Sequence, residues 1–221
     1  EIVIKGLQRL EYRGYDSSGV AIHNTKSVNI YKQKGKVQDL IDYAYEKDTE
    51  GNLAIGHTRW ATHGLPNNIN AHPHQSGDYK ISLVHNGIIE NYSILKKELE
   101  QRGHRFKSET DTEILVHLIE EIHKNNKYDL FDAVRLALNE VIGAYAIVII
   151  NNENPHELIA ARKSSPLVVG IGDGEYFCAS DATPIVEYTK NVVYLEDGEI
   201  AQISLKNGFK LKTIANQEIT P

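Results

Sequence analysis

Apolar residues recur every three or four positions in five parts of the chain, and this period predicts five amphipathic helices. The predicted helices cover residues 1–12, 37–44, 95–103, 114–122 and 130–137. The fourth has the most regular apolar stripe. Thr110 lies just before it and Glu113 follows three residues later, which predicts a capping box at its start.

Shorter runs rich in β-branched and aromatic residues predict strands. These runs are residues 19–23, 28–31, 53–60, 81–84, 144–150, 158–161, 167–169, 176–179, 192–195, 200–203 and 209–213. The later strands are joined by short links such as residues 172–174, and a parallel crossover needs a dozen residues or more. We therefore expect an α+β fold in which helices cover two stacked, mainly antiparallel sheets.

Composition narrows the class of protein. The formal net charge of -6 argues against a nucleic-acid partner, and no apolar run reaches the ~20 residues of a membrane helix. One cysteine, Cys178, cannot form an intramolecular disulfide, so we expect a cytoplasmic protein. The chain has no methionine and opens inside a helical pattern. These features predict one N-terminally truncated domain over residues 1–213. Residues 214–221 are predicted to be the start of a linker.

Residues 56–64 (GHTRWATHG) are rich in polar and aromatic side chains and follow an apolar run, which is typical of a strand that ends in a binding pocket. A solvated strand end is the plain alternative. Arg59 is suited to a carboxylate because its guanidinium donates two parallel hydrogen bonds. Asp111, at the start of the fourth helix, could hold an ammonium group. Together the two describe a site for an α-amino acid.

Asn86 and Gly87 follow the predicted strand 81–84 and have two possible interpretations. They could form a plain turn, since Asn-Gly favours positive φ. They could instead form an oxyanion hole, in which the side-chain amide and an adjacent backbone N–H face one developing negative charge.

Other candidate sites are less persuasive. Five histidines fall between residues 57 and 85, but they lack further ligands at metal-site spacing, so we interpret them as hydrogen-bonded supports of the long loop 61–78. Residues 170–174 (GIGDG) precede a strand and not a helix, which favours a hairpin over a dinucleotide site. Cys178 is expected to be a small buried hydrophobe. We predict no metal and no cofactor.

Five motifs occur together in one order. They are residues 10–19 (LEYRGYDSSG), 56–64 (GHTRWATHG), 70–74 (NAHPH), 85–91 (HNGIIEN) and 108–113 (SETDTE). This set resembles the glutaminase domains of the glutamine–fructose-6-phosphate aminotransferase family, which are class II glutamine amidotransferases. The resemblance covers essentially the whole chain. It implies the N-terminal-nucleophile fold, a four-layer αββα sandwich, and glutamine hydrolysis that supplies ammonia for making glucosamine 6-phosphate from fructose 6-phosphate.

The resemblance also implies residue roles. In the family, an N-terminal cysteine thiolate attacks the glutamine amide with its own α-amine as base. The implied roles here are α-carboxylate binding by Arg59, α-ammonium binding by Asp111, pocket lining by Thr62 and His63, the oxyanion hole at Asn86 and Gly87, ammonia gating by Trp60, and a loop near the nucleophile for Arg13. The nucleophilic cysteine itself has no counterpart, so we expect the chain as written to be inactive.

The resemblance further implies L-glutamine as substrate, a following sugar-phosphate isomerase domain and a homodimer at full length. Three alternatives remain open at this point. The chain could be the glutaminase part of an amidophosphoribosyltransferase or asparagine synthetase. It could be a non-catalytic glutamine-binding module, or a metal-dependent hydrolase.

Overall fold

Two layers of helix enclose two layers of β-sheet in the computed structural model, which describes residues 1–125 and 128–219. The helices of the described residues are α1 (Ile2–Leu10), α2 (Val37–Ala44), α3 (Tyr92–Gln101), α4 (Asp111–Asn125) and α5 (Leu130–Asn139). A 3₁₀ turn, Glu11–Arg13, follows α1. The five predicted helices are confirmed, and their ends differ from the prediction by a few residues.

The strands of the described residues form one large and two small sheets. They are β1 (Ser17–His23), β2 (Val28–Lys34), β3 (Leu53–Arg59), β4 (His74–Gln75), β5 (Ile81–Ile89), β6 (Gly143–Asn151), β7 (Asn154–Lys163), β8 (Val168–Ile171), β9 (Tyr176–Ala179), β10 (Val192–Tyr194), β11 (Glu199–Ser204), β12 (Gly208–Thr213) and β13 (Glu218–Ile219). The large sheet has the order β13-β12-β11-β7-β6-β5-β4, and the small ones have the orders β2-β1-β3 and β10-β8-β9. Neighbouring strands in all three sheets are antiparallel, as the short links predict.

The central strand β6 explains the layering. Successive side chains of a strand point to opposite faces. Ile147 and Ile149 pack on one face with α3, α4 and α5, while Val148 and Ile150 pack on the other with the small sheets. Both faces are therefore buried, which is why residues 144–150 form a continuous apolar run instead of an alternating one.

The outer helical layer on the opposite side rests on β1 and its neighbours. Leu7 of α1 and both Val37 and Leu40 of α2 pack on Val20 of β1. The next residue, Ala21, faces the large sheet. The small sheet thus has helices on one face and a sheet on the other, which completes an αββα order of layers.

A large cavity separates the two small sheets. Edge strand β3 of one and edge strand β9 of the other both line this cavity, which has a volume of about 1470 Å³. The end of β5 reaches the same space. Strands from all three sheets therefore line this one cavity.

The structure corrects three details. Strand β5 continues to Ile89 instead of ending at residue 84, so Asn86 and Gly87 lie within a strand. Thr110 Oγ1 does accept from the backbone N–H of Glu113, at 3.4 Å, but the Glu113 carboxylate turns back to the N–H groups of Lys107 and Ser108. The predicted capping box is thus only half formed.

The end of the chain also adds a strand. The predicted linker, residues 214–221, contains β13, which pairs with β12. Residues 220–221 of that linker lie outside the described residues. The predicted boundary at residue 213 stays a prediction. No helix in the described ranges is long and apolar enough to cross a membrane.

Candidate active site

Seven of the eight residues assigned from the sequence line the large cavity. They are Arg13, Arg59, Trp60, Thr62, Asn86, Gly87 and Asp111. Among the described residues His63 is the assigned residue that does not line it, and it lies behind Asp111 with its Nδ1 3.7 Å from Oδ1. The fold therefore brings together residues that are up to 98 positions apart in sequence, from Arg13 to Asp111.

Arg59 is a buried cation at the end of β3. Its guanidinium donates to the backbone oxygen of His63, and to those of Gly64 and Leu65 at 3.4 Å. Within the described part of the chain it forms no ion pair with a carboxylate. Burial lowers the pKa of Arg59, and the nearby charge of Asp111 opposes that shift. Because a buried cation without an anionic partner is costly, Arg59 is suited to a carboxylate that arrives with a substrate.

Asp111 is the first residue of α4 and is buried. One carboxylate oxygen, Oδ2, accepts from the backbone N–H of Ile89 at 2.8 Å. The other, Oδ1, faces His63, whose ring packs edge-on against Tyr92 with centroids 4.8 Å apart. The carboxylate is thus held by one oxygen and by the helix N-terminus, while Oδ1 keeps capacity for an ammonium group.

His57 orients the amide of Asn86. The two residues lie on β3 and β5, and His57 Nε2 is 2.8 Å from Asn86 Oδ1. Burial lowers the pKa of His57 to about 4, so the ring is neutral at pH 7. Since a carbonyl oxygen only accepts, Nε2 carries the proton. The amide nitrogen of Asn86 is therefore turned away from His57, and it has no hydrogen-bond partner among the described residues.

Gly87 occupies a position that only glycine can fill. Its φ is +123°, and a Cβ there would lie 2.2 Å from the backbone oxygen of Ala144. The glycine therefore lets β5 pass close to β6 beside Asn86. The turn interpretation of this pair is wrong, because both residues are paired with β6.

Trp60 lies on the exposed side of the cavity. Its indole is 59% exposed and packs edge-on against Tyr15, with centroids 5.6 Å apart. Asp16 Oδ2 accepts from the backbone N–H of Ala61 at 2.9 Å, which fixes the start of the loop. Thr62 follows and is exposed. Trp60 therefore lines the cavity while remaining largely open to solvent, next to an anchored loop.

Arg13 approaches the cavity from the 3₁₀ turn. It donates from Nη2 to Ser180 Oγ, and its Nη1 lies 3.4 Å from Asp181 Oδ2. These contacts tie the turn after α1 to the loop after β9. Arg13 therefore joins the two small sheets at the cavity, a role that sequence spacing alone could not reveal.

The remaining histidines of this region support the site. Thr112 Oγ1 lies 2.8 Å from His72 Nε2 and 2.9 Å from His85 Nδ1, and His74 Nε2 lies 3.0 Å from Thr110 Oγ1. Burial lowers the pKa of all three rings. They are neutral hydrogen-bonding groups. The prediction that the histidines support the loop is confirmed for His72 and His74, which lie in the loop and bond to the start of α4. His85 bonds to Thr112 and to the backbone of Ala144, outside the loop.

Cys178 lines the large cavity, but its thiol is not activated for catalysis. Desolvation raises the pKa of its thiol to about 12, so the thiolate is scarce at neutral pH. It packs with the apolar residues between the sheets. Cys178 is half-buried, so the predicted small hydrophobe is confirmed but its full burial is not. Residues 170–174 lie in the β8–β9 hairpin as expected.

Sequence reasoning missed the contact that His57 makes with Asn86 and the pairing of Asn70 with Glu109. His57 alternates with Arg59 on β3, and that spacing of two was an available signal for a shared face. Asn70 and Glu109 exchange hydrogen bonds of 2.9 Å between side chains and backbone, which ties the loop 61–78 to the start of α4. No sequence signal pairs residues so far apart.

Comparisons with known proteins identify the family of this chain. Residues 42–218 match the family described as a glutamine amidotransferase domain. The chain is 61% identical over its whole length to a glutamine–fructose-6-phosphate aminotransferase from Bacteroides thetaiotaomicron, of which it covers 36%. It is 48% identical, over 99% of its length, to the enzyme of that name from Thermococcus kodakarensis, again covering 36%. The chain thus spans about a third of the length of these relatives.

A solved structure extends the comparison to the fold. The glutamine phosphoribosylpyrophosphate amidotransferase from B. subtilis has a TM-score of 0.83 and 28% identity, with 96% of this chain and 46% of that one covered. The αββα sandwich is therefore the N-terminal-nucleophile fold that the motifs implied.

Proposed function

Because this chain belongs to the glutamine amidotransferase family, we propose that it binds L-glutamine in the large cavity as part of a glutamine–fructose-6-phosphate aminotransferase. In that enzyme it would release ammonia for converting fructose 6-phosphate into glucosamine 6-phosphate. The buried guanidinium of Arg59, with no carboxylate partner in the described residues, is the observation that carries this proposal.

The substrate's two charged groups would bind at opposite charges. The α-carboxylate would accept the paired N–H groups of Arg59, and the α-ammonium would meet Oδ1 of Asp111. His63 would keep the carboxylate of Asp111 in position from the side away from the substrate. The side-chain amide of glutamine would then extend toward Asn86 and Gly87, which line the same cavity.

The chemistry requires a sulfur nucleophile. A thiolate would attack the amide carbon, and the oxygen that gains negative charge would accept from the amide nitrogen of Asn86 and the backbone at Gly87. The α-amine that took the thiol proton would pass it to the amide nitrogen, so that collapse expels ammonia and leaves a thioester. Water would then hydrolyse the thioester to glutamate and regenerate the thiol. Cys178 is unsuited because of its raised pKa, so the reaction needs an N-terminal cysteine placed in the cavity. Trp60, at the cavity mouth, would control the passage of ammonia.

The identities to the relatives favour one whole enzyme over the other. At 61% identity the aminotransferase resemblance is much stronger than the 28% to the phosphoribosylpyrophosphate enzyme, which favours the hexosamine role. An isomerase domain that follows the chain, a homodimer and a cytoplasmic location belong to this proposal.

Calorimetry with L-glutamine tests the binding step on the 221-residue chain. We expect one site that prefers L-glutamine over D-glutamine and L-asparagine, because the site would recognise both the arrangement of the α-groups and the length of the side chain. A second sample, joined at its N-terminus to the cysteine segment of the Bacteroides relative, tests turnover. Release of equal amounts of glutamate and ammonia is expected from it. A folded sample that does neither would overturn the proposal.

A further inference from the structure

Helix α4 has a second polar face that does not belong to the glutamine cavity. Positions 113, 117, 120 and 124 recur at helical spacing and form this face. Glu113, His117 and Glu120 on it are buried, with at most 5% of each exposed. The face borders a separate cavity of about 630 Å³, and among the described residues the two cavities share no lining residue. Buried ionisable groups outside the active site need a physical reason.

Two imidazoles meet at this face. His104, in the loop after α3, has its Nδ1 2.9 Å from Nδ1 of His117. Two nitrogens bound to one zinc ion lie ~3.4 Å apart when each Zn–N distance is ~2.0–2.1 Å. A shift of about half an ångström would therefore place both Nδ1 lone pairs on one ion.

Glu120 completes a three-ligand set. One ligand atom each of His104, His117 and Glu120 lies within 4.8 Å of the others. We propose that these three residues bind one zinc ion, with the fourth position open to water from the adjoining cavity. Two imidazoles and one carboxylate are a donor set that favours Zn²⁺ over Mg²⁺ or Ca²⁺.

Each proposed histidine ligand is backed by a carboxylate. His104 Nε2 is 2.8 Å from Glu121 Oε2, and His117 Nε2 is 3.8 Å from Glu113 Oε1. Carboxylates in this position orient metal-bound imidazoles and raise their basicity.

Zinc bound to both Nδ1 atoms would fix the tautomers of the two rings. The protons of His104 and His117 would then lie on Nε2, which is 2.8 Å from Glu121 Oε2 in His104 and 3.8 Å from Glu113 Oε1 in His117. Metal binding is therefore compatible with the carboxylate that each ring already faces.

Glu120 is already tied into the fold. It accepts from the backbone N–H groups of Gly77 and Asp78 at 2.6 and 3.1 Å, and its Oε1 lies 2.5 Å from Lys124 Nζ. Lys124 is 52% exposed and is free to move toward Asp78, 3.4 Å away, when a dication arrives. Zinc would thus cross-link the loop of His104, the turn at Gly77 and α4.

Equilibrium dialysis against zinc chloride, followed by metal analysis, tests the proposal on the chelator-treated 221-residue chain. We expect one zinc per chain. His104→Ala and His117→Ala should each weaken the zinc affinity at least tenfold, because each removes one of three ligands. His156→Ala is the matched control, since that histidine is exposed and outside the cluster. Cobalt substituted for zinc should give visible d–d bands in the wild type that His104→Ala removes.

Circular dichroism separates a lost site from a lost fold. His104 lies in a loop and is the safer of the two substitutions, so its variant decides the matter if His117→Ala does not fold. A wild-type chain that retains no stoichiometric zinc would overturn the site. So would zinc that is held equally by a folded His104→Ala variant, because the ion would then lie elsewhere. Neither readout uses glutamine, so the outcome is independent of the proposed function.

Discussion

Nε2 of His57 lies 2.8 Å from Oδ1 of Asn86, and this single hydrogen bond decides which end of the amide faces the cavity. The ring is neutral because burial lowers its pKa to about 4. The donor nitrogen of Asn86 is consequently presented in the same orientation across the physiological pH range. A preorganised donor of this kind costs no reorganisation when negative charge develops.

Arg59→Lys should weaken L-glutamine binding to the chain by about 1.5–3 kcal/mol, the range for hydrogen bonds to charged groups. Lysine keeps the charge but cannot reproduce the two parallel donors. Titration calorimetry measures the change. Arg105→Lys, at an exposed position, is the matched control and should bind as the wild type does. An unchanged dissociation constant in Arg59→Lys would rule out this carboxylate contact.

Asp111→Asn should weaken binding of L-glutamine but not of glutaramate, which lacks the α-amine. The asparagine keeps an oxygen for the backbone N–H of Ile89, so the start of α4 is preserved. Only the charge that faces the ammonium is lost. Comparing both ligands with both proteins isolates that one contact. Equal losses for the two ligands would mean that Asp111 supports the pocket without binding the amine.

Acid should destabilise this chain earlier than carboxylate protonation alone requires. The pKa of His57 is about 4 in the fold and ~6.5 when unfolded, and those of His72 and His74 are also lowered. Below pH ~6.5 these histidines therefore bind protons in the unfolded chain but not in the folded chain. Stability is full above that pH and falls below it, by about 1.4 kcal/mol per pH unit for each such histidine.

Urea unfolding at pH 7.5, 6.5 and 5.5 measures that loss. Replacing His57 with glutamine should flatten the pH dependence by about 1.4 kcal/mol per unit below pH ~6.5, because one proton fewer is taken up on unfolding. A free energy of unfolding that stays level between pH 7.5 and 5.5 would contradict the neutral histidines.

The sequence predicted the parts of the fold that depend on local periodicity. The stripe of α4 and the continuous apolar run of β6 each encode which faces are buried, so both could be read directly. The C-terminal end of β5 could not be predicted from the sequence. Gly87 stays in the strand because β6 approaches it closely at Ala144, and that constraint comes from tertiary packing.

Some features of the site could likewise be predicted from the sequence, and others depend on tertiary packing. Arg59 and Asp111 could be proposed from charge and position alone. The orienting role of His57 depends on β3 lying opposite β5, and the pair of Asn70 and Glu109 depends on where a long loop folds back. The proposed zinc ligands His104 and His117 belong to a loop and a helix with no motif linking them. Long-range pairing, set by the packed core, determines these features.

Cys178 should be chemically silent in the folded chain. A thiol of pKa about 12 holds only ~10⁻⁴ thiolate at pH 8, so a disulfide reagent should react at least a hundredfold more slowly than with the urea-unfolded chain. Cys178→Ala should also leave glutaminase activity unchanged in the sample with an added N-terminal cysteine. Activity in the 221-residue chain that Cys178→Ala abolishes would overturn this assignment.

Asn86→Ala, in the sample with an added N-terminal cysteine, should lower kcat by ~10²–10³ while KM changes little, because the lost donor acts mainly in the transition state. Asn139→Ala, on α5, is the control.

Two variants of His57 test whether its hydrogen bond orients the Asn86 amide. His57→Gln can still donate to Asn86 Oδ1, whereas His57→Leu cannot, so glutamine should preserve much more of kcat than leucine. If Asn86→Ala is severe but both His57 variants are equally active, the amide orients itself and the hydrogen bond of 2.8 Å is structural only. If Asn86→Ala is itself nearly normal, the backbone at Gly87 would be left as the oxyanion donor.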